Sequence, residues 1–257
     1  MNPLRVTLWQ TDIAWEDKSA NLDRLRLLLE ELRGQTELVV LPETFSTGFS
    51  MHPAALAESV DGPTLTSLRQ WAATYGVAIA GSYIACNTPH DGHYRNRAFF
   101  LTPEGDAYYY DKRHLFRMGC ETEYYVPGHE RLIVHYRGWA ICLLVCYDLR
   151  FPVWMRYRDD YDAIIFAANW PASRQTVWQT LLRARAMENQ CYVIGANRTG
   201  SDPAAEYSGG SAIIDAKGAT LAEAAGTAEQ AVTAEISLDE LRRFRAKFPV
   251  LADRDRF

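Results

Sequence analysis

The sequence predicts an α/β protein of layered helices and mixed β-sheets, and two such sheets packed face to face with helices outside would use all of its apolar runs. Three observations predict it. Short apolar runs rich in β-branched and aromatic residues recur along all 257 residues. Segments of helical periodicity lie between some of these runs, and other runs follow one another with only a turn between, which requires mixed rather than purely parallel sheets. Hydrophobic residues make up 48% of the chain, enough to fill the core of one large domain. The expected extent is a single domain over 1–257, with 237–257 as a C-terminal helix and tail.

In chain order, "LRVTLWQ" reads as a strand, and 21–32, with leucines at 22, 25, 28, 29 and 32, as a helix. The strand "LVVLPE" follows, then a helix over 64–75. "VAIAGSY", "NRAFFLTP" and "AYYYDK" make three strands without an intervening helix, over 77–83, 95–103 and 107–112. "AICLLVCYD" and "DAIIFAAN" are near-continuous apolar strands, as expected of a sheet covered on both faces. A helix over 176–189 precedes the strands "CYVIGAN", "SAIIDAKG" and "AVTAEI". Ser237 and Glu240 form a capping box before a last helix.

Charge and cysteine content narrow the function classes. With 27 basic and 32 acidic residues the net charge is -5, and no basic run or face is present, so nucleic acid and anionic membranes are not expected partners. The start "MNPLRVTLWQ" lacks the order of a signal peptide, and no apolar run reaches the roughly 20 residues that span a bilayer. A cytoplasmic protein is expected. The five cysteines, an odd number with three in apolar runs, fit reduced thiols. No metal is expected: there is no CxxC pair, the six histidines are scattered, and "HDGHY" at 90–94 reads as a polar turn.

Glu43, Lys112 and Cys146 share one setting, each at or near the carboxyl end of an apolar strand. Ligands of α/β sheets bind beyond such ends, so the three converge if their strands are neighbours. Alone, each is ordinary: a loop acid, a loop lysine, a buried inert thiol. Together they supply acyl transfer from an amide. A thiol of pKa about 8.5 is only a few per cent ionised at neutral pH and needs a base, here Glu43. Lys112 and the backbone N–H of Tyr147 would stabilise the thiolate and then the oxyanion.

The blocks "LPETF", "YDKRHLF", "CYDLRFP", "ANWPASR" and "RARAMENQCYVIGANRTG" resemble, in this order and over essentially the whole chain, the signatures of the nitrilase superfamily, and within it the omega-amidase branch. The resemblance implies a four-layer αββα sandwich, usually paired as a homodimer through helices near the nucleophile. It implies Glu43 as general base, Lys112 as oxyanion stabiliser and Cys146 as the nucleophile of a thioester route without metal or organic cofactor. It also implies a second active-site glutamate. Glu121, six residues before Pro127-Gly128, fits that place; Glu123 is its rival, and a surface-loop acid is the plain alternative. Val153-Trp154 after "RFP" departs from the family pattern, where an acidic residue is more usual.

The resemblance points to small 2-oxo dicarboxylic acid monoamides such as 2-oxoglutaramate and 2-oxosuccinamate. Their distal carboxylate suits the planar fork of an arginine. Candidates are Arg150, Arg174 and Arg198, with Asn169 and Trp170 lining the pocket. Each arginine has a structural alternative: an ion pair with Asp148 for Arg150, solvation for Arg174, a loop tie for Arg198. Arg185, beside an apolar helix stripe and three residues before Glu188, reads as structural. Nitriles and N-carbamoyl acids remain alternative substrates. A cysteine–histidine hydrolase using His114 or His135 and a non-enzymatic binding scaffold are the rival functions, while "SGGSA" offers only weak serine chemistry.

Overall fold

The computed structural model describes residues 3–88 and 92–255; His90 and Asp91 of the "HDGHY" stretch lie outside them. The chain runs through β1 (Leu4–Gln10), α1 (Lys18–Glu31), β2 (Leu38–Val40), α2 (Pro53–Leu56), α3 (Pro63–Tyr75), β3 (Ala78–Ala85), β4 (Arg95–Leu101) and β5 (Ala107–Asp111). It continues through α4 (Glu121–Tyr124), β6 (Ile133–Tyr136), β7 (Trp139–Val145), α5 (Pro152–Met155), β8 (Ala163–Ala168), α6 (Gln175–Asn189) and β9 (Tyr192–Asn197). The short ribbon β10 (Thr199–Ser201) and β11 (Glu206–Ser208) precedes β12 (Ala212–Ile214), β13 (Thr220–Glu223), β14 (Gln230–Ile236) and α7 (Leu238–Lys247).

Two mixed six-stranded sheets result, ordered β14-β1-β2-β3-β4-β5 and β13-β12-β9-β8-β7-β6. Their layering with outer helices is the αββα sandwich that the resemblance implies. In the first sheet β1, β2 and β3 are parallel, and β4 and β5 return antiparallel. Two reversals restore the direction of β3 in β5, so Asp111 ends at the same rim as Val40. In the second sheet β7, β8 and β9 are parallel.

Alternation along the strands builds the layers. Val40, Ala80 and Phe100 turn into the core between the sheets, where Phe100 meets Tyr136 of the other sheet edge-on at 5.4 Å. Their neighbours Val39, Ile79 and Phe99 face outward onto Leu25 and Leu29 of α1 and Leu65 and Leu68 of α3. Trp178, Leu182 and Ala186 of α6 cover the second sheet. Asp17 caps α1 by accepting from the Ala20 N–H, and Ser237 caps α7 by accepting from Glu240. The five cysteines are thiols, and no helix among the described residues is long and apolar enough to cross a membrane.

Candidate active site

The carboxyl ends of the parallel strands form one rim, and the reactive side chains sit just past it. Glu43 follows β2, Lys112 follows β5, Cys146 follows β7 and Asn169 follows β8. Glu43 is 1% exposed and Lys112 is 1% exposed. Lys112 Nζ donates to Glu43 Oε1 at 2.9 Å and to both oxygens of Glu121, at 3.0 and 2.9 Å. Glu43 Oε1 also accepts Asn96 Nδ2 at 2.7 Å, while its Oε2 accepts the Asn169 N–H at 2.9 Å.

Cys146 opens a short 3-10 turn, Cys146–Arg150, with φ +41°. A non-glycine residue holds this left-handed conformation only when its surroundings impose it. Asp148, fully buried two residues on, supplies that constraint: it accepts the Val145 N–H at 3.1 Å, Tyr110 Oη at 2.8 Å, and both the N–H and Nδ1 of His114, at 3.0 and 2.8 Å. Arg185 completes the brace, donating through Nε and Nη2 to the Leu149 carbonyl at 3.0 and 2.7 Å and through Nη1 to Glu188 at 3.1 Å. Arg185 is thus structural, as expected.

The charges are set by burial and by one another. Burial lowers the proton affinity of Lys112, but Glu121 and Glu43 outweigh it, so the ammonium is held well above its ordinary pKa and stays charged. Burial, then the Glu43 charge, push the Cys146 thiol well up against the pull of Lys112; a thiol hydrogen bond to Glu43 adds to this. The Cys146 thiol is neutral and sits beside an acceptor, an arrangement that suits proton removal from it. Burial, opposed by Lys112 and reinforced by Glu43, raises the Glu121 carboxyl.

A cavity of about 300 Å³ opens on this cluster, lined by Glu43, Lys112 and Cys146 with Tyr147, Arg150, Asn169, Trp170 and Arg174. That size suits a small acyclic ligand. The Arg150 guanidinium lies over Trp170, 5.2 Å from the ring centre, and Arg174 over Phe116 at 5.3 Å. Neither forms an ion pair with a carboxylate among the described residues. The pairing of Arg150 with Asp148 that the sequence allows does not form, because the donors around Asp148 already occupy it. Tyr147 packs edge-on against Phe116 and Phe151, each at 5.1 Å.

Other candidates separate from the cavity. Glu121, rather than the exposed Glu123, joins Lys112, and it sits behind the lysine instead of lining the cavity. Arg198 is fully buried and ties Asp12, Ile13 and Ser201 through Nη2, at 3.0, 3.2 and 3.0 Å; it is a structural tie under Tyr207 and does not line the cavity. His114 is turned onto Asp148 and stacked on Phe151 at 3.9 Å, and His135 is exposed on β6; neither lines the cavity. Sequence reasoning passed over Asn96, Ser82, Phe49, Phe116 and Tyr207. Asn96 carried a signal, an amide inside the apolar run "NRAFFL".

The sequence matches the family Carbon-nitrogen hydrolase over residues 5–246. It is 46% identical to an omega-amidase YafV of Yersinia enterocolitica, covering 100% of this chain and 99% of that protein. It is 34% identical to a 2-oxoglutaramate amidase of Bacillus subtilis over 96% of each. Among solved structures, a CN-hydrolase superfamily protein of Xanthomonas campestris with an arsenic adduct in its active site superposes with a TM-score of 0.95 at 45% identity, over 100% of this chain and 99% of that one.

Proposed function

The chain belongs to the carbon-nitrogen hydrolase family, and from that premise we propose that it is an omega-amidase releasing ammonia from the side-chain amide of small 2-oxo dicarboxylic acid monoamides, 2-oxoglutaramate and 2-oxosuccinamate. It is an amide hydrolase, as its omega-amidase and 2-oxoglutaramate amidase relatives are. One observation carries the substrate: a single cavity of about 300 Å³ is lined by a thiol, a carboxylate, an ammonium and two guanidiniums that have no carboxylate partner among the described residues. The first three suit the scissile amide. The guanidiniums suit the carboxylate at the other end of the molecule.

Glu43 takes the Cys146 proton as the sulfur attacks the amide carbon. The carbonyl oxygen becomes an oxyanion beside Lys112 Nζ and the Tyr147 N–H, and losing one such donor costs about 3 kcal/mol in the barrier. Glu43 returns the proton to the amide nitrogen, the C–N bond breaks, and ammonia leaves a thioester on Cys146. Glu43 then takes a proton from water, whose oxygen attacks the thioester; the dicarboxylic acid departs and the sulfur regains its proton. Glu121 anchors Lys112 from behind. No step draws on a metal or organic cofactor.

The test compares kcat/KM for 2-oxoglutaramate, glutamine, a simple nitrile and an N-carbamoyl amino acid. Preference for 2-oxoglutaramate is expected; preference for the nitrile or the carbamoyl acid, or no turnover at all, sinks the assignment. Glu43→Gln is expected to lower turnover by a factor of about 100 to 10,000, and full activity in that variant would point back to a histidine base.

The same proposal takes residues 1–257 as one domain with 237–257 as its helix and tail, and places it as a cytoplasmic homodimer joined near the nucleophile. The thiol state of the cysteines supports a reducing compartment. Sedimentation equilibrium giving a monomer, or recovery of the protein outside the cytoplasm on fractionation, contradicts these two points.

A further inference from the structure

One buried group that the reaction scheme leaves unused sits between its two carboxylates. Asn96 is 1% exposed and is the second residue of β4. Because β4 runs against its neighbours, its amino end lies at the rim where β3 and β5 have their carboxyl ends. Asn96 Nδ2 donates to Glu43 Oε1 at 2.7 Å and to Glu121 Oε1 at 3.2 Å. Its Oδ1 accepts the Ser82 hydroxyl at 3.0 Å, and Ser82 Oγ in turn accepts the Thr44 N–H at 2.8 Å. The reverse amide orientation would set an oxygen against two carboxylates, so this network fixes the amide. Its carbonyl also accepts the Lys112 N–H at 3.0 Å. One residue thus touches the supports of the base, the cation and the second acid.

The charge count gives that position a purpose. Two buried carboxylates face one ammonium, and in a dry site the uncompensated pair tends to share a proton. A second cation would hold both ionised but would also blunt Glu43 as a base. A neutral amide with two donors gives each carboxylate a hydrogen bond without adding charge. We propose that Asn96 is the positioning residue that holds Glu43, through a hydrogen bond that adds no charge, aimed at Cys146 while Glu121 stands beside it. The inference rests on the proposed role of Glu43 as base.

The other groups facing this pair are Lys112 after β5, Cys146 after β7, the Asn169 N–H after β8, Tyr125 after α4 and Tyr207 of β11, with Arg150 and Arg174 across the cavity. Burial raises both phenols, which stay neutral.

The test is the pH profile of kcat/KM on 2-oxoglutaramate for the natural chain, Asn96→Ala and Ser82→Ala, each checked by thermal melting. The acid limb reports ionisation of the base in the free enzyme. Losing a hydrogen bond to a carboxylate raises its pKa, so Asn96→Ala is expected to move the limb to higher pH by about one unit. Ser82→Ala, which keeps Asn96 but loosens it, moves the limb the same way by less. A folded Asn96→Ala with a lower plateau and an unmoved limb reduces Asn96 to packing and overturns the inference. Where Asn96→Ala does not fold, an unmoved limb in Ser82→Ala overturns it. Glu43→Gln separates the two proposals: full turnover in that variant, not residual turnover, removes the base assignment, whereas a Glu43→Gln slowed as expected beside an unmoved Asn96→Ala limb removes only the inference.

Discussion

Asn169 and Glu43 are joined twice: the Asn169 N–H donates to Glu43 Oε2 at 2.9 Å, and Asn169 Nδ2 donates to the Glu43 carbonyl, also at 2.9 Å. Asn169 follows a strand of the second sheet and Glu43 a strand of the first, so this pair stitches the sandwich at its reactive rim. Asn169→Ala keeps the main-chain bond and loses the side-chain one, together with a bond to Thr44 Oγ1 at 3.0 Å. The expected result is a fall in kcat of about tenfold and in melting temperature of about 3–6 °C. A variant that melts early with unchanged kcat would make the stitch purely structural.

The thiol is expected to be slow toward alkylation at neutral pH. Burial first, and the Glu43 charge second, hold the Cys146 pKa well above the ordinary value, so the reactive thiolate grows only as pH rises through that raised pKa. Iodoacetamide inactivation should therefore accelerate steadily into the alkaline range. Glu43→Gln, which removes one of the raising causes, should shift the curve to lower pH. Fast labelling already saturated at about pH 7 would mean a resting thiolate and refute the neutral thiol.

Arg150→Ala and Arg174→Ala should act on the far end of the substrate. Each removes a guanidinium held over an aromatic ring, Trp170 or Phe116. Loss of a charge-assisted bond to carboxylate is expected to raise KM for 2-oxoglutaramate by about 10- to 100-fold in at least one variant. A neutral amide of the same length should be nearly unaffected. Equal losses on both substrates in both variants would exclude carboxylate recognition here.

Gly128→Ala should cripple activity from outside the cavity. A Cβ at this position would lie 2.1 Å from the Asp111 carbonyl oxygen, and the Gly128 N–H donates to the Lys112 carbonyl at 3.0 Å. The backbone on either side of Lys112 has to move to admit the methyl group. A drop in kcat of about tenfold or more with a lower melting temperature is expected. Wild-type kinetics in Gly128→Ala would show that Lys112 is not fixed by this approach.

The trio was legible because strand ends are legible: "LVVLPE", "AYYYDK" and "AICLLVCYD" each place a reactive side chain just past an apolar run. The parallel centres of both sheets turned those separate endings into one rim. Asn96 was not legible in that way, because it sits at the start of a reversed strand and reaches the site by its amino end. Asp148 and His114 were each weighed against the wrong partner, as an ion pair for Arg150 and as a base for Cys146. Their true relation, a hydrogen bond from His114 to Asp148 beside the Cys146 turn, depends on residues 34 positions apart. Arg198 followed the same strand-end rule as the trio, but Asp12, far away in sequence, captured it.

The pairing of β14 with β1 along seven residues, from Leu4 with Ile236 to Gln10 with Gln230, sets a timetable for synthesis. Glu43, Lys112 and Cys146 have all been made by residue 146, yet β1 stays an open sheet edge until residues 230–236 leave the ribosome. Because an unpaired edge leaves its sheet incomplete and prone to wrong partners, the nascent chain carries its reactive set beside an open edge from residue 146 until residues 230–236 are made. Closure of the first sheet at β1 therefore waits on residues 230–236, well after the three reactive side chains have been made.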